Sequence, residues 1–257
     1  MMLSAGADVS RTVYRMEYGD VVKGRKDSAL YDVTVVIPTR NESENVAPLL
    51  QRLLPLRPSA VIFVDDSDDE TPQLISAFAD PRVTVIHRVS GARVGGLGGA
   101  VCAGFNAATT TWVAVIDGDL QHPPETLKDL HTRALLVDNP DLVIASRYTT
   151  GGSYAGLSST LRVAASKLGT ALVRFLRRTR LKNVSDPLSG CFMLRRETVD
   201  TSTLQPEGFK ILLEILLSSD GLVTADVPYM FANRVHGSSN ANFKELIRLA
   251  RTALRRR

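Results

Sequence analysis

The feature that most constrains the fold is an alternation. Five short runs, VTVVI (33–37), AVIFV (60–64), VTVI (83–86), WVAVI (112–116) and DLVIA (141–145), are apolar almost throughout and rich in β-branched residues. A strand buried on both faces has no solvent side to alternate toward, so it reads as a continuous apolar run. Helical patterns fill the intervals at 42–54, 71–79, 97–108 and 124–137. Strand and helix in repeated turn place successive strands parallel, with crossovers on both faces. The expected fold class is therefore α/β, a doubly wound, mostly parallel sheet with flanking helices.

The rest of the chain departs from this rhythm. Residues 1–30 are polar and weakly periodic and read as an N-terminal extension to a main domain over 31–240. From 158 the chain is helical and basic, a long helix with Leu161, Ala164, Leu168, Leu172 and Phe175 on one apolar stripe. A short strand near 191–195 and a helix at 209–217 follow. Residues 241–257 place Phe243, Leu246, Ile247, Ala250 and Leu254 on one face, with Lys244, Arg248, Arg251 and Arg255 around it. This predicts a basic amphipathic helix suited either to an anionic membrane surface or to packing on the domain with its basic side solvated.

Charge sharpens the division. The 257 residues carry a net +4, but residues 1–159 hold 14 Lys/Arg against 19 Asp/Glu while 160–257 hold 17 against 8. A basic half implies an anionic partner: nucleic acid, lipid or a phosphorylated substrate. The basic residues have no aromatic interleaving, which argues against nucleic acid. No window of about 18 apolar residues would cross a membrane, and no signal-peptide core is present. Cys102 and Cys191 lack metal-binding spacing, which fits a reduced cytoplasmic protein.

Polar residues cluster where the strands end. The first run leads into PTRNE (38–42), the second into VDDSDDE (64–70), the fourth into DGDLQH (117–122) and the fifth into SRY (146–148). In open α/β sheets ligands sit outside the carboxyl ends of strands. Asp117 and Asp119, one residue apart, would repel without a cation. Their oxygens suit Mg²⁺ or Mn²⁺, with Gln121 adding a neutral oxygen. Mg²⁺ held by one or two carboxylates usually shares substrate phosphates, which points to a nucleotide diphosphate. At the second strand end, Asp65 or Asp66 is placed to accept from a nucleobase or ribose. The GGLGGA turn (95–100) puts Arg93 near the phosphates.

The ordered motifs IPTRNESENV, FVDDSDDETP, GGLGGAV, DGDLQHPPE, ASRY, SDPLSGCFMLRR, GFKILLEIL and VPYMFANRVHGSS carry a resemblance over about residues 32–240. The chain resembles family 2 glycosyltransferases of the polyprenol-phosphate (dolichol-phosphate) mannosyltransferase type. The resemblance implies a GT-A fold and transfer of a hexose, mannose by family weight, from a nucleotide sugar to a polyprenyl phosphate. It implies metal ligation by Asp117, Asp119 and Gln121, and nucleotide binding by Pro38, Glu42, Asp66, Arg93 and Asp117. Arg147, Arg162, Ser166 and Arg234 are implied to hold phosphate, joined by His236. Asp186 is implied to lie near the sugar or to order the acceptor loop, and with Asp119 and Arg147 it forms the implied catalytic set. His122 reads as a brace for the metal loop.

The pattern has departures. Arg40 stands where the family has Tyr, and Ser239–Asn240 lack the usual following Lys. GDP-mannose is favoured over UDP-glucose as donor. The expected location is the cytoplasmic face of the membrane, peripherally bound, with a membrane-protein partner or a continuation into membrane helices both open. Two other readings stay open at this point. One is a family 2 transferase acting on a hydroxyl of a saccharide or small molecule. The other is a non-catalytic basic module that binds membrane or nucleic acid.

Overall fold

The computed structural model describes residues 29–153, 160–205 and 210–233, the side chains of 160–165 excepted. Most of the 1–30 extension, the 241–257 helix, the Arg162 side chain, Arg234 and His236 lie outside the described residues.

The alternation resolves into β1 (Val33–Thr39), α1 (Ser43–Leu53), β2 (Ala60–Asp65), α2 (Thr71–Ser76), β3 (Val83–His87), α3 (Gly96–Ala107), β4 (Trp112–Val115), α4 (Thr126–Ala134) and β5 (Leu142–Ser146). Then come α5 (Thr160–Leu176), β6 (Phe192–Arg195), α6 (Ile211–Ser218) and β7 (Thr224–Pro228). The seven strands form one sheet in the order β3-β2-β1-β4-β6-β5-β7. Every pairing is parallel except those of β6, which runs antiparallel to both β4 and β5. The expected doubly wound, mostly parallel sheet is the observed one.

The side-chain period of two divides the core in half. Val35, Ile37, Val61, Phe63, Trp112, Ala114 and Val143 face a layer formed by α1, α2 and α4. Val36, Ile62, Val64, Val113, Val115, Leu142 and Ile144 face α3, Val173 of α5, and α6. Both faces are covered, so the strands read as uninterrupted apolar runs. Gly104 lets α3 lie close on β1, because a Cβ there would run into the Val36 side chain.

One strand was not expected from the sequence, and one helix sets its apolar side outward. β7 is an additional parallel strand at the edge beyond β5, with a burial pattern that alternates. The α5 stripe faces outward: Leu168 is 70%, Leu172 39% and Phe175 75% exposed. The helix meets the core instead through Gly169, Thr170 and Val173. Small residues allow close backbone approach, so the large apolar side chains are left on the far side.

The insertion of antiparallel β6 matters for the site. Val115 of β4 pairs with Phe192 of β6, so the segment entering β6 lies at the same rim where β4 leaves. Likewise Ser146 of β5 pairs with Pro228 of β7. This brings Tyr229 and Phe231 to that rim.

Asp226 in β7 accepts from the Ser185 backbone N–H at 2.8 Å, yet burial pushes its carboxyl above the ordinary Asp value. A raised folded value means the folded state holds the proton longer than the unfolded chain does. Stability is therefore favoured at low pH and falls as pH rises through that window. Asp226→Asn should raise the melting temperature at pH ~7 and have little effect near pH ~3, below the ordinary Asp value, by thermal denaturation across that range.

Candidate active site

The acidic pair sits directly after β4. Asp117 keeps a third of its side chain open, while Asp119 is buried. The turn between them is built for close approach. Gly118 packs on Thr39, whose Cγ2 would lie 2.9 Å from a Cβ at 118. Leu120 is buried with left-handed backbone (φ 60°), a conformation that costs a bulky residue about 1–3 kcal/mol. The Asp119 carboxylate accepts from the Gln121 backbone N–H at 3.1 Å. The Gln121 side-chain amide donates to the Ala232 carbonyl at 3.4 Å, and Ala232 N–H donates to the Gln121 carbonyl at 2.9 Å. The 117–122 turn is thus fastened to the segment after β7.

Asp117 is gripped from two sides. His122 Nε2 lies 3.2 Å from its Oδ2. Gly190, in the segment entering β6, lies so close that any Cβ there would overlap the carboxylate. The His122 ring stacks on Tyr229 (5.3 Å, 23°) and meets Phe231 edge-on at 5.2 Å. Its expected bracing role agrees with this packing. Burial, reinforced by the charge of Asp117, pushes the Cys191 thiol far up, so it offers no thiolate.

At the far side of Phe231 lies an ion pair. Arg147 follows β5, and its guanidinium lies 5.5 Å from the Phe231 ring and 5.6 Å from Tyr148. Its Nε and Nη2 donate to the two oxygens of Asp186 at 2.7 and 3.0 Å. Asp186 is fully buried. Burial works against the Arg147 charge, but the Asp186 hydrogen bonds and charge outweigh it and hold the guanidinium above its ordinary value. Tyr148 continues the chain outward, its hydroxyl 3.0 Å from Ser166 Oγ on α5. The Tyr229 phenol is raised well above its ordinary value by burial, lowered in part by Arg147, and raised further by Cys191, Asp186 and Asp117. Phe231 meets His122 on one side and Arg147 on the other, so the acidic pair and the Arg147–Asp186 pair are linked by packing.

The ends of β1, β2 and β3 form the other half of the rim. Asp65 is fully buried and accepts from Thr39 Oγ1 (2.9 Å) and Ser67 Oγ (2.6 Å), with His87 Nδ1 at 2.8 Å. It serves as an internal tie. Asp66 is held by Arg88, whose Nε and Nη2 donate to its two oxygens at 2.7 and 2.5 Å. The same guanidinium donates to the carbonyls of Val94 and Gly96. Gly95 and Gly96 take left-handed backbone there, and a Cβ at Gly99 would strike the Val94 carbonyl. The glycine turn is therefore pinned beside Asp66. Arg93 donates to Asp68 at 2.7 and 3.0 Å and to the Ser67 and Arg88 carbonyls. Pro38 is buried in β1, and Glu42 accepts from Asn45 Nδ2 at 2.5 Å. Pro38, Glu42, Asp66, Arg93, Asp117, Asp119, Gln121, Arg147 and Asp186 come from the strand ends and loops of the same rim, and Ser166 joins it through Tyr148.

Sequence reading missed Arg88, Gly190, Tyr229 and Phe231. It surveyed the ends of four strands and passed over the third, where His87–Arg88 stand at the equivalent position. Gly190 precedes a strand, a signal that becomes informative only once that strand is known to be antiparallel.

Among the described residues, no three His, Cys, Asp or Glu side chains form a metal cage. A hard divalent cation bound with a nucleotide needs only one or two carboxylates and takes its remaining oxygens from phosphate and water. The Asp117–Asp119 pair fits that donor set.

A family model described as "Glycosyl transferase family 2" matches residues 34–202. The chain belongs to glycosyl transferase family 2. It is 34% identical over 224 residues to a dolichol-phosphate mannosyltransferase of Pyrococcus furiosus, a match covering 85% of this chain and 62% of that protein. It is 35% identical over 228 residues to the polyprenol monophosphomannose synthase of Mycolicibacterium smegmatis, covering 82% of each. The fold resembles glucosyl-3-phosphoglycerate synthase from Mycobacterium tuberculosis, solved with Mn²⁺, UDP-glucose and phosphoglyceric acid. The TM-score is 0.67 at 22% identity, covering 93% of this chain and 83% of that one. The family 2 chain is thus a glycosyltransferase with a GT-A-like sheet.

Gly190→Ala should displace the Asp117 carboxylate and lower transfer by about 10²-fold, with an unchanged far-UV circular dichroism spectrum.

Proposed function

We propose that this glycosyltransferase moves a mannose from GDP-mannose to a polyprenyl phosphate, inverting the anomeric configuration. The observation that carries the proposal is the pairing of an acidic turn after β4 with the buried Arg147–Asp186 pair across Phe231. One suits a metal-bound diphosphate and the other an anionic acceptor. Relatives at 34% and 35% identity bear mannosyltransferase names, which supports the sugar and the lipid.

The donor lies over the carboxyl ends of β1 and β2, with the nucleoside against Pro38, Glu42 and Asp66 and the diphosphate toward Asp117 and Asp119. Asp117 and Asp119 would hold a divalent Mg²⁺ or Mn²⁺, which would offset charge on the departing diphosphate. Asp119, fixed by the Gln121 N–H, holds its carboxylate in place before ligand arrives. Arg147 presents positive charge to the acceptor phosphate, and Asp186 fixes its plane. Ser166, hydrogen-bonded to Tyr148, lies within reach of the same phosphate, and Arg162, Arg234 and His236 complete its binding.

A phosphate monoester is substantially ionised near neutral pH, so it attacks the anomeric carbon without a general base. Both Asp186 oxygens are engaged by Arg147, which leaves that carboxylate poorly placed to take a proton from a hydroxyl. The phosphate acceptor is therefore the better reading, and positioning together with preorganised charge does most of the catalysis. The reaction belongs at the cytoplasmic face of the membrane, with the protein bound peripherally or through a membrane-protein partner. Among the described residues, no helix is long and apolar enough to cross a membrane.

The test is a donor screen with short-chain polyprenyl phosphate and Mg²⁺ or Mn²⁺, read by mass spectrometry. Hexosyl-phosphoprenol should form fastest from GDP-mannose. Asp119→Asn should lower the rate by about 10²-fold or more, as should chelator. Undiminished transfer in chelator and in that variant would remove the metal from the account.

A further inference from the structure

We propose that Arg40 reads the nucleobase of the donor, its guanidinium donating to O6 and N7 of guanine. Arg40 is then the residue that separates a guanosine carrier from a uridine carrier. The inference rests on the reading above that the nucleoside lies at the ends of β1 and β2, and it deepens that reading.

Three arginines follow β1 and β3 at this end of the rim, and two of them are fully engaged. Arg88 gives its donors to Asp66 and to the carbonyls of Val94 and Gly96. Arg93 gives its donors to Asp68 and to the carbonyls of Ser67 and Arg88. Arg40 is exposed, and among the described residues it makes no hydrogen bond or ion pair. The acid beside it is already satisfied. Hydrogen bonds from Arg93 hold the Asp68 carboxyl below its ordinary value against the cost of burial, and the charges of Arg93, Arg40 and His87 add to that. Both Asp68 oxygens accept from Arg93, so Arg40 meets this carboxylate through its charge alone. A planar fork with unused donors suits a ligand that presents two acceptors side by side.

The backbone that carries Arg40 is fixed. Asn41 takes left-handed backbone (φ 55°), donates its N–H to Ser67 Oγ at 2.8 Å and accepts from the Asp68 N–H at 3.0 Å. The Glu42 N–H donates to Thr71 Oγ1 at 3.1 Å. The turns after β1 and β2 are therefore tied together, with Arg40 at their junction. Pro38 stands two residues back, about 7 Å along an extended chain, so a base resting there lies within reach of the fork. Arg40 is near enough to Asp68, after β2, for its charge to act there, whereas β4 and its acidic turn lie on the other side of β1. Arg40 is thus placed for the base and not for the diphosphate.

Base chemistry selects guanine. Guanine presents O6 and N7 as neighbouring acceptors, which an arginine fork grips with two parallel bonds. Adenine sets an amino donor beside N7, which opposes the guanidinium. Uracil separates its two carbonyls by the N3–H donor and offers the fork one oxygen at a time.

The test is titration calorimetry of the full chain with Mg²⁺ present, using GDP, UDP and 7-deaza-GDP on the parent and on Arg40→Met. Methionine keeps an extended side chain and removes the charge and every donor. Arg40 is exposed, so the two melting temperatures should agree. The variant should bind GDP about tenfold more weakly, with UDP binding nearly unchanged. 7-Deaza-GDP lacks the N7 acceptor. It should bind the parent less tightly than GDP does, and the variant should not tell the two apart. A GDP-to-UDP affinity ratio that falls by less than about fivefold would overturn the proposal, whether neither ligand is affected or both weaken together through the diphosphate. A 7-deaza penalty that persists in the variant would overturn it as well. No sugar or acceptor takes part in these titrations. A parent that prefers UDP, with a ratio that still falls on substitution, would refute GDP-mannose as donor and leave this role of Arg40 standing. A parent that prefers GDP, with an unchanged ratio, would do the reverse.

Discussion

Two fully buried aspartates hold the rim of this sheet. Isolated charge in a protein interior is costly unless it is paired and hydrogen-bonded, and each aspartate recruits partners from separate strand ends. Asp65 gathers Thr39 at the end of β1, Ser67 after β2 and His87 at the end of β3. Asp186 draws in Arg147 after β5. Breaking such a pair on one side would cost about 3–5 kcal/mol, because the other charge stays behind. The loops that would receive ligand are therefore fixed by the interior before any ligand arrives. Preorganisation of this kind lets positioning and electrostatics carry a transfer reaction.

The order of the strands decides which loops meet. A purely parallel sheet would bring only strand exits to this rim. By running backward between β4 and β5, β6 brings its entry there as well, and with it Gly190 and Asp186. The first gives Asp117 room and the second orients Arg147. Tyr229 and Phe231, delivered by β7, fill the space between the two clusters, where Phe231 touches both His122 and Arg147. Aromatic packing joins the acidic turn to the cationic pair.

Much of this was legible in the sequence because burial on both faces leaves a plain record. The five continuous apolar runs are strands, and the acids and Arg after them stand at the rim. β7 left a weaker record: TADVP is an edge strand with alternating burial and a Pro, and it has no apolar run to find. The direction of β6 is invisible in FMLR, since a strand reads alike either way. The α5 stripe was visible, but periodicity tells only that a helix has an apolar side, never what that side meets. Here the small Gly169 and Thr170 face the core and the Leu and Phe face out. Arg88 escaped notice because its meaning depends on Asp66, 22 residues away, and on a glycine turn whose carbonyls it also binds.

The central claim is that the acidic turn after β4 receives the diphosphate of an activated sugar through a divalent cation. Crystals grown with Mn²⁺ and GDP or UDP, with diffraction collected at the manganese absorption edge, test this most directly. The anomalous peak should lie within coordination distance, about 2–2.5 Å, of an Asp117 or Asp119 carboxylate oxygen and touch the nucleotide phosphates. A nucleotide bound with its manganese away from both carboxylates would contradict the claim.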